Sequence, residues 1–336
     1  MVSASVKDVA ALAGVSVGTV SNVLNRPEKV SPAVMTRVQA AIEKLGFVRN
    51  DAARQLRAGM SHSIGLVVLD AANPFFTDLA RGAEDSAAAE NFSVLVGNSS
   101  DDEGREAAYL DLFEQQRVRG ILLSPVGEVI PRLVQLRRRG IPTVLVDRVS
   151  DNLSFSSVGV DNLAGGEMAV RHLLSLGRRR IAFVGGPTTI RQVAERLTGA
   201  RRAMGQDSGA TLEVLETESL TVFSGRAAGE AIRMRAADER PDAIFAANDL
   251  LAVGILQGLM LMGDVQVPQE IALIGYDDIE FAAAAVVPLS SIRQPSVLIG
   301  STALELLLRE AGSEPGFEVS HVVFPPELVV RASTLG

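Results

Sequence analysis

Short apolar segments alternate with longer segments of helical periodicity along most of the chain, from Ile64 onward. The apolar segments are nearly continuous and rich in β-branched residues, which is typical of parallel strands covered on both faces. They predict strands at 64–69, 93–97, 120–124, 142–146, 157–160, 180–184, 242–246 and 271–275, and further strands near 290–292, 319–324 and 327–330. Helices are predicted between them at 76–90, 102–117, 129–139, 162–176, 195–204, 225–235, 248–262 and 295–309.

Repeated strand–helix–strand units of this kind form right-handed crossovers and doubly wound parallel sheets. There are more strands than one small sheet needs, so we expect two similar α/β lobes that divide near Val160 and Asp161. The tail is expected to cross between the lobes. The predicted boundaries are residues 63–161 and 291–322 for the first lobe, and residues 162–290 and 323–336 for the second.

The first sixty residues show helical signals instead of this alternation. A helix over Val6–Ala13 should end at the following glycine, since glycine readily takes the left-handed conformation at a helix C-terminus. Ser16 can cap a second helix that runs to about residue 24. A third helix is predicted to begin after Ser31, with proline in its first position, and to end at Gly46.

The second of these helices has two different faces. Val20, Val23 and Leu24 share one side, at the spacing of an amphipathic helix. The residues on the opposite side are Val17, Gly18, Ser21 and Asn22. Two helices joined by a glycine-containing turn form the helix-turn-helix arrangement, whose second helix enters the major groove of DNA. The pattern therefore predicts an all-α DNA-binding headpiece, with an ordinary helical hairpin as the alternative.

Charge is distributed unevenly along the 336 residues, whose formal net charge is −8 at pH 7. Residues 1–60 carry eight basic and four acidic side chains, a net charge of +4, so the remaining residues together carry −12. A basic terminus on an acidic body indicates nucleic-acid contact at the basic end.

Composition argues against several classes of protein. The hydrophobic fraction of 47% is that of a globular chain. The sequence has no Cys, so it cannot form a disulfide framework, and this fits a cytoplasmic protein. Three histidines leave little material for a metal site. No apolar stretch reaches the roughly 18 residues of a membrane span, and the mildly apolar stretch at 9–20 lacks the cleavage site of a signal peptide.

A series of motifs resembles one known family. The strings "VKDVAALAGVSVGTVSNVLN", "VSPAVMTRVQAAIEKLGFVRNDAARQLR" and "SIGLVV" are followed by "NPFF", "ILLSP", "VDR", "GRRRIAFVGGP", "ERLTGARRAM", "PDAIFAANDLLAVGIL", "VPQEIALIGYDDIE" and "SSIRQP". In this order, and over essentially the whole chain, they resemble the lactose-repressor (LacI/GalR) family of bacterial transcription regulators. The resemblance implies a helix-turn-helix headpiece over residues 1–49, a hinge helix and linker over 50–62, and a bilobed core like that of periplasmic binding proteins.

The resemblance also implies how the headpiece contacts DNA. A homodimer, or a larger oligomer, would bind an inverted-repeat operator, and the four residues on the open face of the second helix would read base edges. Ser16 and Thr19 would hold phosphates. The implied DNA-contacting residues of this region are Ser16, Val17, Gly18, Thr19, Ser21, Asn22 and Asn25. Val-Gly stands here where larger polar residues are frequent in the family, so the preferred operator stays open.

A short predicted helix over residues 50–58 resembles the hinge of that family. Leu56 stands at the position of a leucine that wedges into a minor-groove base step and kinks the duplex. Ala53 is small enough to let two hinge helices approach. The residues that would meet backbone phosphates are Asn50, Arg54 and Arg57. As the alternative, Leu56 is a linker residue that packs on the core.

Polar residues follow several predicted strands at their carboxyl ends, where open α/β sheets bind ligands. Carboxylate, amide and guanidinium groups beside aromatic rings suit a polyhydroxyl ligand, because each hydroxyl both donates and accepts hydrogen bonds. The candidate ligand-binding residues, in part implied by the resemblance, are Asn73, Phe75, Phe76, Asp147, Arg148, Arg196, Phe223, Asn248 and Asp277. Leu220 is an alternative to Phe223, and Asn248 and Asp277 could instead be cap or turn residues.

Together these features predict a ligand-responsive transcriptional regulator, a repressor by preference, that senses a small metabolite. A sugar or sugar derivative is favoured, and the sign of the response stays open. The alternatives are a periplasmic-type solute-binding protein without regulatory DNA binding, and a regulator that senses a purine or nucleoside. No dinucleotide fingerprint, Walker loop, nucleophile elbow or HExxH motif occurs. We therefore expect no enzyme activity, no cofactor and no metal, and the lack of a C-terminal heptad run favours a dimer over a tetramer.

Overall fold

A computed structural model describes residues 4–47, 61–149, 154–205, 209–261, 265–312 and 317–335. The chain divides into two compact units, Met1–Met60 and Ser61–Gly336. The predicted hinge contacts Asn50, Ala53, Arg54, Leu56 and Arg57 lie outside the described residues.

The described part of the amino-terminal unit forms three α-helices around a small apolar core. They are α1 (Val6–Ala13), α2 (Val17–Asn25) and α3 (Pro32–Leu45), with a 3-10 turn at Pro27–Lys29 between α2 and α3. Gly14 ends α1 with φ of 62°, a left-handed conformation that glycine adopts at little cost. Val9, Val20 and Val38 are fully buried where the three helices meet. This core fixes one face of α2 and leaves the other open.

The first lobe of the larger unit is a parallel six-stranded sheet. Its strands are β1 (Ser63–Val68), β2 (Ser93–Asn98), β3 (Ile121–Leu123), β4 (Thr143–Val146), β5 (Ser157–Val160) and β11 (His321–Phe324). They lie in the order β11-β5-β4-β3-β1-β2. The helices of this lobe are α4 (Pro74–Ala89), α5 (Glu103–Gln115), α6 (Ile130–Arg138) and α12 (Ser296–Ala311). The central strands are buried throughout, as their continuous apolar sequence predicts.

The second lobe has the same design with one antiparallel strand at its edge. Its strands are β6 (Arg180–Val184), β7 (Thr211–Leu215), β8 (Ala243–Ala246), β9 (Ala272–Asp277), β10 (Ser290–Arg293) and β12 (Glu327–Val329). They lie in the order β12-β10-β9-β8-β6-β7, and β12 runs antiparallel to β10. The helices are α7 (Asn162–Ser175), α8 (Arg191–Met204), α9 (Val222–Arg233), α10 (Asp249–Met260) and the short α11 (Glu280–Ala284).

Helix α12 returns the chain to the first lobe and packs directly on α4. A Cβ atom at Gly82 would lie 2.0 Å from the carbonyl oxygen of Val297, and one at Gly300 would lie 2.0 Å from that of Leu79. Glycine at both positions therefore lets the two helix backbones approach closely. This contact holds α12 on the first lobe, although the preceding strand, β10, belongs to the second lobe.

Apart from shifted helix ends and the short helix α11, which was not predicted, the structure differs from the sequence prediction at one strand and at the lobe boundaries. Strand β7 was not predicted, because Thr211–Leu215 alternates polar and apolar residues at a half-buried sheet edge and has no continuous apolar run. The lobe boundaries also shift. Strand β10 pairs with β9, so residues 291–293 belong to the second lobe and not to the first. Strand β11 pairs with β5 up to Phe324, so the first lobe extends two residues past the predicted boundary at 322.

Candidate effector site and DNA-contacting helix

A cavity of about 80 Å³ lies between the two lobes of the larger unit. It is bounded by the segments that follow β1, β2 and β4 of the first lobe and β7, β8 and β9 of the second, together with the start of α8. The carboxyl ends of parallel strands thus face each other across it, which is where α/β sheets bind ligands. The lining residues are Leu69, Asp70, Asn73, Phe75, Phe76, Asp101, Asp147, Ile190, Gln192, Val193, Arg196, Ser219, Leu220, Thr221, Asn248 and Asp277.

Arg196 is the buried cation of this cavity. Its Nε donates to Asn162 Oδ1 at 2.9 Å, and its Nη1 donates to the carbonyl oxygen of Ala247 at 2.7 Å. The guanidinium carbon lies 3.7 Å from the ring centroid of Tyr276, and Nη2 lies 3.6 Å from Asp277 Oδ1. Two acceptors and an aromatic face therefore hold the planar guanidinium in one orientation.

Asp277 ends β9 with a backbone φ of 103°, a region that non-glycine residues rarely adopt. Asn73 Nδ2 and Gln294 Nε2 donate to its two carboxylate oxygens at 3.0 and 2.8 Å. Burial raises the pKa of Asp277, while Arg196 and the two amide donors act to lower it. These partners fix a strained residue, so its carboxylate has a defined place on the wall.

Asp147 lies at the end of β4 on the first-lobe side of the cavity and is 4% exposed. Gln192 Nε2 donates to its Oδ2 at 2.8 Å. Within the described part of the chain its Oδ1 has no hydrogen-bond partner. Burial raises the pKa of Asp147 to about 7, and the opposing effect of Arg196 is partly offset by the negative charge of Asp277. One buried oxygen of Asp147 is thus available to a donor inside the cavity.

Two amide side chains join the lobes beside the cavity. Asn73 of the first lobe caps α4 by accepting from Phe75 N at 3.0 Å, and its Nδ2 donates to Asp277 of the second lobe. Gln192 of the second lobe donates to the carbonyl oxygen of Asp147 in the first lobe at 2.9 Å, as well as to its carboxylate. Both contacts require the lobes to be close together, so they stabilise a closed arrangement.

The turn that follows β9 rests on Asp249, a fully buried carboxyl at the start of α10. Its Oδ2 accepts from Ile279 N at 2.9 Å and its Oδ1 accepts from Ser291 Oγ at 2.8 Å. Ser291 Oγ also accepts from Asp278 N at 3.0 Å. Burial, followed by the charge of Asp277, raises the pKa of Asp249 well above its usual value. Asp249 therefore supports the backbone that presents Asp277, without lining the cavity itself.

The apolar wall includes two phenylalanines at the start of α4. The Phe75 and Phe76 rings pack edge to face, with centroids 5.0 Å apart. Asn248 lies opposite them and caps α10 by accepting from Leu251 N at 2.9 Å, while its Nδ2 donates to the carbonyl oxygen of Leu220 at 3.1 Å. Asn248 thus lines the cavity and also has the capping role that the sequence left open.

Two of the predicted ligand-binding residues do not line the cavity. Phe223 is the second residue of α9 and is 83% exposed, because its helical phase points it to solvent. Leu220, its stated alternative, lines the wall instead. Arg148 directs Nη1 to the carbonyl oxygen of Gly127 at 3.0 Å. The other seven predicted residues are brought together.

Sequence reasoning missed several residues of the wall. Asp70 and Asp101 follow predicted strands, so the same strand-end rule could have found them. Gln192 was hidden because α8 was expected to begin at 195, whereas it begins at Arg191. Apart from its position after Asn248, nothing in the sequence indicates the role of Asp249. That role depends on hydrogen bonds to residues 30 and 42 positions away in the sequence.

In the amino-terminal unit, Ser16 caps α2 by accepting from Thr19 N at 3.1 Å, and the two hydroxyl oxygens lie 2.9 Å apart. The residues on the open side of the helix are Val17, Gly18, Asn22 and the half-buried Ser21. Leu24, on the other side, is half-buried against the core of the unit. The helix therefore presents the surface that the sequence predicted for contact with base edges.

Other features of the described residues are structural. His172 Nε2 lies 2.9 Å from Thr334 Oγ1, and His321 Nδ1 lies 2.9 Å from Ser157 Oγ. Among the described side chains, no three potential metal ligands come together. No helix in the described ranges has the length and apolar character needed to cross a membrane.

Comparison with known proteins covers nearly the whole chain. Residues 5–50 match the family described as bacterial regulatory proteins, lacI family, and residues 170–334 match a periplasmic binding protein-like domain. The ribose operon repressor of Escherichia coli (strain K12) is 35% identical over 333 residues, which span 98% of this chain and 99% of that protein.

Two solved structures show the same architecture. A transcriptional regulator CelR–cellobiose complex is 32% identical with a TM-score of 0.71, covering 98% of this chain and 99% of that one. A lac repressor dimer bound to operator and the anti-inducer ONPF is 26% identical with a TM-score of 0.83, covering all of both chains. The chain therefore belongs to the lacI family of bacterial regulatory proteins, as a DNA-binding transcriptional regulator that senses a ligand.

Proposed function

We propose that this regulator is a repressor that binds an inverted-repeat operator as a homodimer and responds to a sugar in the interlobe cavity. The observation that supports the sugar most strongly is the combination of Asp147, Arg196 and Asp277 with the Phe75–Phe76 pair around one enclosed space. Polar groups that accept and donate can bind hydroxyls, while the rings cover the C–H face of a sugar. The ribose operon repressor and the cellobiose complex, by their names, concern sugars.

On the DNA side, we propose that Val17, Gly18, Ser21 and Asn22 read base edges, that Ser16 and Thr19 hold phosphates, and that Asn25 also contacts the DNA. The open face of α2 supports the assignment of the four base-reading residues. In the hinge segment, Leu56 would wedge into the minor groove, Ala53 would let the two hinge helices of the dimer approach, and Asn50, Arg54 and Arg57 would hold phosphates. The protein would act by binding alone, in the cytoplasm, without a cofactor.

For the response, the effector would stabilise the closed arrangement of the lobes and so change the separation of the two hinge segments in the dimer. A ligand shifts such an equilibrium only by the difference in its affinity for the two arrangements. The bonds from Asn73 to Asp277 and from Gln192 to Asp147 cross between the lobes, so they are part of what the effector would reinforce.

The experiment that tests this proposal has two stages. A thermal-shift screen against sugars and nucleobases identifies the effector, because a ligand that binds the native state raises the melting temperature. Operator DNA selected from a random pool then reports affinity with and without that effector, at fixed salt. A change of at least tenfold in operator affinity, in either direction, supports the proposal. Equal affinity for selected and random duplexes, with or without effector, would contradict it.

A further inference from the structure

The charged groups on the cavity wall are mostly acidic. Among the described residues that line it, the acidic ones are Asp70, Asp101, Asp147 and Asp277, and the basic one is Arg196. The hydrogen bonds of Arg196 to Asn162 and Ala247, and its approach to Asp277, already use much of its guanidinium. An anionic ligand group would therefore enter a cavity with four carboxyl groups on its wall, of which those of Asp147 and Asp277 are buried. The one cation that it would meet, Arg196, is already bonded to protein groups. Burying a charge without a free partner is costly.

The first-lobe side of the cavity offers acceptors. Asp147 Oδ1 is buried and has no partner within the described ranges. Asp70 uses one oxygen to accept from Ala72 N at 2.9 Å. Asp101 lies on the same wall as Asp70 and has an exposed side chain. Desolvation, followed by the negative charge of Asp70, raises the pKa of Asp101 to about 6. A ligand that fits this side must bring hydrogen-bond donors and no negative charge.

We infer that the effector is an uncharged polyhydroxyl compound that donates one hydroxyl hydrogen to Asp147 Oδ1, and that phosphate esters and sugar acids are excluded from the site. This inference rests on the proposed sugar response and narrows it to one chemical class. The carboxylates of Asp70 and Asp101 repel an anion, whereas the hydroxyls of the neutral parent sugar can donate to them.

The first test compares each neutral sugar with charged derivatives of the same sugar. Neutral pentoses and hexoses are paired with their own phosphate esters and aldonic acids, and each is titrated against the full-length protein by thermal shift and calorimetry at about pH 8. We expect at least one neutral sugar to stabilise the protein, and its charged derivatives to bind at least 100-fold more weakly. A phosphate ester or acid that binds as tightly as its neutral parent would overturn the inference and leave the sugar response standing. Stabilisation by nucleobases and by no sugar would instead overturn the proposed function.

The second test changes the wall and not the ligand. In Asp147→Asn the amide oxygen can keep the bond from Gln192, so an NH₂ group faces the cavity where an acceptor stood. We expect the neutral sugar to bind 10- to 100-fold more weakly. In the double variant Asp70→Asn, Asp101→Asn we expect the affinity of the phosphate ester, relative to that of the neutral sugar, to rise at least tenfold.

The matched control is Asp111→Asn, which removes a carboxylate that is 62% exposed on α5. Both affinities should stay within twofold of those of the unmodified protein. A purely structural role for the wall carboxylates would move the affinities of both ligands in parallel. An unchanged ratio between phosphate ester and neutral sugar in the double variant would therefore refute the exclusion of anions.

Discussion

The two walls of the interlobe cavity differ in how far their polar groups are already bonded. On the second-lobe side, Arg196, Asn248 and Asp277 have protein partners for most of their hydrogen-bonding groups. On the first-lobe side, Asp147 keeps one buried oxygen without a partner among the described residues. The second-lobe wall is thus a preassembled frame, and the first-lobe wall is where open capacity for a ligand lies.

The lining residues therefore have two different roles: some hold the shape of the cavity, and others are available to bind a ligand. A side chain fixed by several partners holds its position with or without a ligand, so its removal should affect folding as well as binding. A side chain with an unpaired acceptor contributes mainly to ligand affinity, because its hydrogen bond forms only when a ligand brings a donor. Substitutions on the two walls should therefore have different ratios of stability loss to affinity loss.

Arg196→Met should give the largest effect. It removes the donors to Asn162 and Ala247 and leaves the buried carboxylate of Asp277 without its cation. Breaking a buried charged network from one side costs about 3–5 kcal/mol. Urea denaturation should show this loss, and effector binding should disappear. Arg201→Met, at an exposed position of the same helix, is the control and should cost under about 0.5 kcal/mol. A loss below about 1 kcal/mol for Arg196→Met would contradict the idea of a frame.

Stability should also depend on pH through Asp147. Its pKa is raised from 3.8 to about 7, so the folded state holds this proton more tightly than the unfolded state does. The stabilisation is therefore complete below about pH 4 and is lost as pH rises through 7, by an amount on the order of 2–4 kcal/mol. Denaturation of the unliganded protein across this range should show the decline, and Asp147→Asn should make it shallower, while Asp249 and Asp277, whose pKa values are also raised, keep part of it. Effector affinity should change in the opposite sense, since the ionised oxygen is the stronger acceptor. An identical pH profile in Asp147→Asn and the unmodified protein would contradict this assignment.

The sequence predicted much of this arrangement because strand ends are readable. Asp147, Asn248 and Asp277 directly follow or end apolar runs, and Asn73 lies four residues after the apolar run at 64–69. Parallel strands bring such positions to one edge. The details that failed depend on helix phase and long-range contacts. Phe223 and Leu220 are three residues apart, and the start of α9 at Val222 decides which of them faces inward.

Other failures have the same origin. The pairings of β10 with β9 and of β11 with β5, which set the lobe boundaries, are tertiary properties of the tail. The same holds for Asp249, whose partners Ile279 and Ser291 belong to other elements. Local periodicity predicts the order of helices and strands along the chain, but it does not predict such long-range contacts.

Asp249→Leu should have an intermediate effect and tests how the frame is supported. It leaves the amide of Ile279 and the hydroxyl of Ser291 without their acceptor, at a cost of about 1–3 kcal/mol. Because the turn presents Asp277, effector affinity should fall as well. Asp249→Asn is the matched variant: its oxygen can accept from Ile279, and the hydroxyl of Ser291 can turn to accept from its NH₂ group. We expect Asp249→Asn to recover most of the affinity at pH 7. Effector affinity in Asp249→Leu equal to that of the unmodified protein would show that the turn holds its position without Asp249.

Gln192→Met should give the smallest effect on stability, because it removes a contact between the two walls and leaves the hydrogen bonds within each wall in place. The loss of its bonds to Asp147 should cost about 1 kcal/mol or less, since solvent can replace them once the lobes separate. The closed arrangement then becomes less populated, and the apparent affinity for the effector falls by the same factor, roughly two- to fivefold. Thr198→Val, at an exposed position of α8, is the control on the same helix. Effector titrations would measure the affinity, and small-angle scattering without effector would measure the opening of the lobes. If Gln192→Met instead binds the effector more tightly, Gln192 competes with the ligand for Asp147. The first-lobe wall would then have less open hydrogen-bonding capacity in the free protein than we infer.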